Sequence, residues 1–166
     1  AQILAFLQAH GLDSQSARHQ LNEVGEYFGL VYQLMEGPPD HTAITRTMEV
    51  RPADIRLLHT ILAQRLGQPY DEQLFDLLWP LEVLLDIKAN LTEYADDVQS
   101  GHYNTYQQLV ALVGAKAVQM MQAEQTQYQS LFQERLARAS VANQQRVNKM
   151  QVRHEEVYPS VLPPLP

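Results

Sequence analysis

The sequence has no cysteine among its 166 residues. Disulfides, zinc sites built from thiolates and cysteine nucleophiles are therefore excluded. It also lacks any run of about 18 apolar residues, which a membrane-spanning helix requires, and any pattern typical of a signal peptide. We therefore expect a soluble, cytoplasmic protein that is not embedded in a membrane.

Positive charge is scarce as well. The chain has 12 lysine and arginine residues against 19 aspartate and glutamate residues, which gives a formal net charge of -7. Nucleic acids and anionic membranes are bound by basic surfaces. We therefore expect neither of them to be the main partner.

Several catalytic signatures are missing from the sequence. It contains no glycine-rich phosphate loop, no Gly-x-Ser-x-Gly elbow and no His-Glu-x-x-His zinc motif. No histidine stands three residues after a glutamate, so the Glu-x-x-His signature of ferritin-like di-iron bundles is also absent. The sequence therefore contains no complete set of catalytic residues that matches these motifs.

Apolar residues recur at helical spacing along most of the chain, which predicts an all-α fold. We expect a compact bundle of five to seven helices with a long C-terminal helix, in one helical domain over residues 1–158. A Pro-rich tail follows at residues 159–166 (PSVLPPLP), which favours an extended polyproline II conformation. The tail is interpreted either as a ligand for an SH3-like groove or as a linker.

Breakers and caps divide the chain into predicted elements. Residues 37–50 are expected to form a loop with a short extended piece at 42–47. The last helix is expected to run over residues 115–157. In two earlier predicted helices, apolar residues at helical spacing are expected to face the core. For residues 14–35 these positions are Leu21, Val24, Tyr27, Phe28, Val31, Leu34 and Met35, and for residues 52–66 they are Ile55, Leu58, Ile61, Leu62 and Leu66.

The stretch from Tyr70 to Gly101 is predicted to form one kinked amphipathic helix. Asp71 is the expected N-cap, and Gly101 is the expected left-handed stop. Pro80 cannot donate a helical hydrogen bond, so a kink or break is expected near residues 76–80. The predicted core-facing positions are Leu77, Leu81, Leu84, Ile87, Leu91, Ala95 and Val98.

A narrow stripe of acidic and amide side chains, which we call the acidic stripe, follows a second side of this helix. Mg²⁺ prefers oxygen ligands and commonly uses one or two carboxylates together with substrate phosphate. The candidate metal ligands in the stripe are Asp86, Asn90, Glu93 and Asp97. The alternative interpretation is a polar face in contact with water. Nearby aromatic residues either line a pocket or belong to the core, namely Trp79, Tyr94, Tyr103 and Tyr106.

Glu93 and Asp97, followed by Gly101 and Tyr103, resemble the second Asp-rich motif of squalene/phytoene synthases, which are all-helical class I isoprenoid synthases. The resemblance implies carboxylates one helical turn apart that hold Mg²⁺ against a prenyl diphosphate. The sequence departs from this motif at Glu93, where an aspartate is usual, and at His102, where a basic residue is expected.

A second acidic pattern combines Glu23-x-x-Glu26 with Glu93-x-x-Asp96. It is similar to the paired acidic motifs of all-α nucleotide pyrophosphatases of the MazG type. In that family the two motifs lie on consecutive helices, whereas here an entire predicted helix separates them.

Two functions remain open, and the sequence does not decide whether the protein is an enzyme. The first is a non-catalytic or regulatory helical interaction protein, with a protein partner or a second copy bound through the extended last helix. The alternative is a Mg²⁺-dependent, diphosphate-binding or isoprenoid-synthase-like protein that uses the acidic stripe on the helix over residues 81–99. Mg²⁺ is the cofactor that this alternative requires.

Overall fold

A computed structural model describes residues 2–150 of the chain. The described residues form nine α-helices and one 3₁₀ turn, with no β-strand among them. Their order is α1 (Gln2–Ala9), α2 (Gln15–Glu36), α3 (His41–Val50), α4 (Ala53–Arg65), α5 (Glu72–Thr92), α6 (Tyr94–Ser100), α7 (Thr105–Val113), the 3₁₀ turn (Gly114–Lys116), α8 (Ala117–Arg138) and α9 (Val141–Lys149). The predicted all-α fold is confirmed.

Two pairs of these helices are nearly continuous in sequence. Only Glu93 separates α5 from α6, and residues 139–140 separate α8 from α9. Counted in this way, the described residues contain seven helical units, in agreement with the five to seven predicted. The predicted long C-terminal helix is α8, with 22 residues.

The central helix of the bundle is α5, which packs chiefly against α8. Its buried residues are Leu77, Pro80, Leu81, Val83, Leu84, Ile87 and Leu91. The core positions predicted from Leu77 to Leu91 are therefore confirmed. Ala95 and Val98 are exposed instead, because the regular helix is interrupted at Glu93 and α6 buries no residue.

The helix α5 continues through Pro80 without a break, while the kink that the sequence predicts as the alternative stays a prediction. Proline has no N–H and its ring crowds the preceding turn, so carbonyls in that turn lose their helical donors. Two arginines from other helices replace these donors. Arg56 of α4 donates to the carbonyl of Phe75, and Arg135 of α8 donates to the carbonyl of Asp76. The proline is therefore tolerated because neighbouring helices satisfy the carbonyls that it frees.

The helix α4 presents a different face to the core from the one predicted. Four of the predicted core positions expose 50% to 66% of their surface: Ile55, Leu58, Leu62 and Leu66. Three other positions are buried instead: Ala53, Arg56 and Thr60. The Arg56 guanidinium also pairs with Glu82 of α5, with 2.7 Å between Nε and Oε2. Because a buried charge requires a partner, these contacts turn the Arg56 side of α4 inward and its leucine side outward.

Residues 41–50 form α3, so the predicted loop and extended piece are wrong. Asp40 caps this helix, because its Oδ1 accepts a hydrogen bond from the Ala43 amide at 2.7 Å. The side chains of Ile44, Met48 and Val50 are buried in the bundle. This burial outweighs the weak helix propensity of the threonines in the segment.

The helix α8 stops at Arg138, earlier than the sequence predicts. Residues 139–140 adopt extended backbone conformations, with ψ angles of 156° and 150°. Ser140 then caps α9, since its hydroxyl accepts a hydrogen bond from the Asn143 amide at 3.2 Å. Asn143 and Val147 are buried. The helix α9 therefore packs onto the bundle instead of extending away from it.

Two clusters of buried apolar residues hold the helices together. The smaller cluster contains Leu7, Leu12 and Ala17, with Ile61 of α4 packed against it. The larger cluster surrounds α5 and includes residues of α3, α7, α8 and α9, together with Leu34 of α2. The helix α2 contributes to both clusters and links them.

Some predictions fall outside residues 2–150. These are the end of the last helix near Val157, the domain boundary at 158 and the Pro-rich tail at 159–166. The single domain over residues 1–158 thus stays a prediction. Over the described range, no helix has the length and apolar character needed to cross a membrane.

Candidate functional site

The four candidate metal ligands lie along α5 and into α6. Asp86 and Asn90 are on α5, Glu93 is the residue between the two helices, and Asp97 is in the first turn of α6. The carboxylates of Asp86 and Asp97 are only 17% and 18% exposed, whereas Glu93 is exposed. The acidic stripe is therefore not uniformly exposed to solvent, because two of its carboxylates turn toward the protein.

The carboxylate of Asp86 lies at the junction of α3, α4 and α5. Its Oδ1 is 3.5 Å from Nε of Arg51, which also pairs with Asp54. Burial raises the pKa of Asp86 to about 6, and the negative charges of Asp54 and Glu93 add to this shift, while Arg51 opposes it. Asp86 is thus a carboxyl group whose ionised form is unfavourable in the folded chain.

The side chains of Asn90 and Asp97 attach the start of α7 to the central helix. The amide of Asn104, which is fully buried, donates to the Asn90 carbonyl at 2.7 Å and to Oδ2 of Asp97 at 2.9 Å. The Asn90 side-chain oxygen accepts a hydrogen bond from the Thr105 amide at 2.8 Å. Asn104 is also the N-cap of α7, since its side-chain oxygen accepts a hydrogen bond from the Gln107 backbone amide at 3.2 Å.

These contacts give Asn90 and Asp97 a structural role, whether or not they also bind a ligand. Within residues 2–150, no group of three or more histidine, aspartate or glutamate side chains is placed so that it could hold a metal ion. The four-residue ligand set stays a prediction. Sequence reasoning missed Arg51, Arg56 and Arg135, because an arginine on a helix usually indicates an exposed position.

The other acidic pair, Glu23 and Glu26, lies on α2 and contacts Arg46 of α3. Nε of Arg46 is 2.7 Å from Oε1 of Glu26, and its Nη2 is 3.8 Å from Oε1 of Glu23. Arg46 also pairs with Glu49 within α3 at 3.2 Å. These carboxylates therefore take part in an ion-pair network that joins α2 to α3.

The aromatic residues near the stripe belong to the core rather than to the wall of a pocket. Tyr106 is fully buried, and the ring of Tyr94 packs edge-on against it, with 5.4 Å between the centroids. Trp79 packs against the same core and donates from its indole nitrogen to the Glu49 carbonyl at 3.0 Å. The core interpretation is confirmed for these residues.

An exposed apolar face on α4 is the feature that the sequence did not predict. We call it the α4 stripe, and it consists of Ile55, Leu58 and Leu62 together with Leu66, the C-cap residue of α4. Steps of three, four and four residues place these side chains on one side of the helix. Phe28 of α2, which was predicted to be in the core, is 65% exposed and lines a groove next to Asp54 at the N-terminal end of α4.

Comparisons with known proteins add no relative. No protein-family model matches the chain, and neither curated protein sequences nor solved structures give a match. The Mg²⁺ and diphosphate binding implied by the resemblance of Glu93, Asp97, Gly101 and Tyr103 to the isoprenoid synthase motif therefore stays a prediction.

The raised pKa of Asp86 predicts a pH dependence of stability. The folded chain binds this proton more tightly than the unfolded chain, in which the pKa is near 3.8, so the free energy of unfolding falls as pH rises from 4 through 6. The loss attributable to Asp86 amounts to at most about 3 kcal/mol. In Asp86→Asn this part of the loss should disappear.

Urea unfolding at pH values from 4 to 7 measures this effect. Asp96→Asn, at an exposed position on α6, is the matched control and should keep the wild-type pH profile. Identical profiles for wild type and Asp86→Asn would show that burial does not affect the ionisation of Asp86.

Proposed function

We propose that the protein is a helical interaction protein that self-associates as a homodimer through the α4 stripe. The observation that supports this proposal is the outward orientation of four leucine and isoleucine side chains on one helix. Contiguous exposed apolar surface on a folded chain is typical of an interaction site. The long last helix suggested by the sequence is not the basis of this proposal, because the described part of α9 packs onto the bundle.

Charge at the two ends of α4 favours a second copy as the partner. Asp54 lies in the first turn and Arg65 in the last, and both are exposed. Their separation of eleven residues is close to three full turns, so they border the stripe on the same side. In an antiparallel pair of α4 helices related by a two-fold axis, Asp54 of each copy approaches Arg65 of the other. The charges that border the surface are thus complementary to those of a second copy.

The size of the surface is consistent with this kind of contact. The 13 residues of α4 span about 20 Å. A standard interface buries about 800 Å² per partner, which is more than one short helix can supply. Phe28, at the N-terminal end of the stripe, adds an exposed aromatic ring, and such rings are enriched in interface cores. The dimer is expected to be centred on α4 and to extend onto α2.

A charge in the middle of the stripe should disrupt this dimer. Leu58→Glu places a carboxylate where the two α4 helices meet, and the like charge from the second copy adds repulsion. We expect the dimer dissociation constant to rise at least about tenfold, which corresponds to about 1.4 kcal/mol. Sedimentation equilibrium of the full chain over a range of concentrations measures this change.

The matched control is Val141→Glu, which introduces the same charge at a position on α9 that is 70% exposed. This variant should dimerise like the wild type, and both variants should keep the wild-type helix content measured by far-UV circular dichroism. A wild-type chain that stays monomeric at every concentration would refute the proposal, as would a Leu58→Glu chain that dimerises normally.

A second candidate function is Mg²⁺-dependent diphosphate binding, as in the isoprenoid synthases that the motif resembles. Asp86, Asn90, Glu93 and Asp97 would hold the metal, which would neutralise the diphosphate charge. The observation that favours this candidate is the partial burial of two of these carboxylates, since Asp86 and Asp97 are only 17% and 18% exposed. A bound cation would neutralise their negative charge.

Thermal unfolding with and without Mg²⁺ plus inorganic diphosphate distinguishes the two candidates. A ligand at 100 times its dissociation constant stabilises the folded chain by about 2.7 kcal/mol. The interaction proposal predicts no rise in the unfolding temperature. The second candidate predicts a rise in wild type and in Asp96→Asn that is absent from Asp97→Asn.

A further inference from the structure

A groove lies between the C-terminal half of α4 and the N-terminal end of α5. It has a volume of about 740 Å³, and Leu62 and Leu66 form part of its apolar wall. Its lining includes two stacked rings, Tyr70 and Phe75, whose centroids are 4.6 Å apart at an interplanar angle of 12°. The ring of His59 lies 5.4 Å from that of Phe75. The groove is therefore both apolar and aromatic.

The helix α9, the last that the structure describes, borders this groove. Arg146 of α9 is one of the lining residues, and its Nη1 lies 2.5 Å from Oδ2 of Asp71, the N-cap of α5. The described part of the chain ends four residues later, at Met150. The buried side chain of Val147 holds this end of α9 against the bundle. The described chain thus ends about one helical turn after a residue that lines the groove.

We infer that the Pro-rich tail, residues 159–166, binds in this groove of the same chain. Its sequence, PSVLPPLP, combines four prolines with two leucines and a valine. Proline-rich segments favour the polyproline II conformation and bind in grooves lined by aromatic rings, because little conformational entropy is lost. Leucine and valine side chains match the apolar wall that Leu62 and Leu66 provide.

The connecting residues are long enough for this contact. Residues 151–158 span up to about 26 Å when fully extended, which exceeds the length of about 20 Å for α4. Short tethers of this kind give effective concentrations in the millimolar range. Even weak binding to the groove is therefore well populated within one chain.

Docking of the tail would compete with self-association. Leu62 and Leu66 belong both to the groove and to the α4 stripe, so a bound tail covers half of the stripe. Docking does not itself depend on dimer formation. The tail would thus regulate how much of the α4 stripe a second copy can reach.

A single nitroxide label in the full chain tests the proposal. Because the sequence lacks cysteine, Ser160→Cys provides a unique attachment site within the tail. Paramagnetic broadening of the methyl NMR signals of Leu62 and Leu66 is the expected result. The matched control carries the same label together with Leu162→Ser and Leu165→Ser, and it should lose this broadening.

Mixing two samples separates docking within one chain from contact between chains. One sample is isotope-labelled without the nitroxide, and the other carries the nitroxide without isotope labels. Broadening within one chain but not in the mixture supports the proposal, even if sedimentation shows no dimer. Unchanged signals of Leu62 and Leu66 in the labelled chain would overturn it, as would broadening that occurs equally in the mixture.

Discussion

The arrangement of the helices depends on the contacts that the buried guanidinium of Arg56 in α4 makes with α5. The guanidinium donates to the carbonyl of Phe75, whose turn Pro80 disrupts, and it pairs with Glu82 about two turns further along α5. Burial raises the pKa of Glu82 although Arg56 opposes the shift, so the pair exists at a substantial cost of desolvation. Because Arg56 must reach these partners, the rotation of α4 about its axis is fixed.

The rotation of α4 links the core of the protein to its proposed function. A helix that turns an arginine and a threonine inward must turn its leucines outward, since one side of a helix cannot face both environments. The polar residues of α5 and α6 meanwhile make contacts within the bundle. Asp86 pairs with Arg51, while Asn90 and Asp97 bind the start of α7 through Asn104. The α4 stripe is thus a consequence of the rotation of α4, whereas these polar residues are used inside the bundle.

Local chemistry explains which features the sequence could predict. Asp71 and Asn104 cap helices through contacts with residues three positions away, and Gly101 adopts a left-handed conformation with a φ of 69°. The apolar face of α5 repeats over four turns, so its periodicity determines which side is buried. Such signals lie within a few neighbouring residues and need no knowledge of the rest of the chain.

The incorrect predictions involve contacts between distant residues. The helix α3 forms because Ile44 and Met48 are buried, although prolines precede it and threonines interrupt it. Apolar periodicity predicts the wrong core-facing side for α4, because it assigns leucine to the core. The carbonyls near Pro80 instead require an arginine on the side of α4 that faces α5. The spacing of Ala53, Arg56 and Thr60 was the available signal, since it marks a second helical face with one charge. Only the partner on α5 shows that this face is buried.

A double-mutant cycle on Arg56 and Glu82 tests this account most directly. Arg56→Met leaves a buried carboxylate without its partner and should lower the free energy of unfolding by about 3–5 kcal/mol. Adding Glu82→Leu should recover at least about 1 kcal/mol of that loss, as expected for residues in contact. Costs of the two substitutions that simply add, within about 0.5 kcal/mol, would contradict the claim that this pair holds α4 in place.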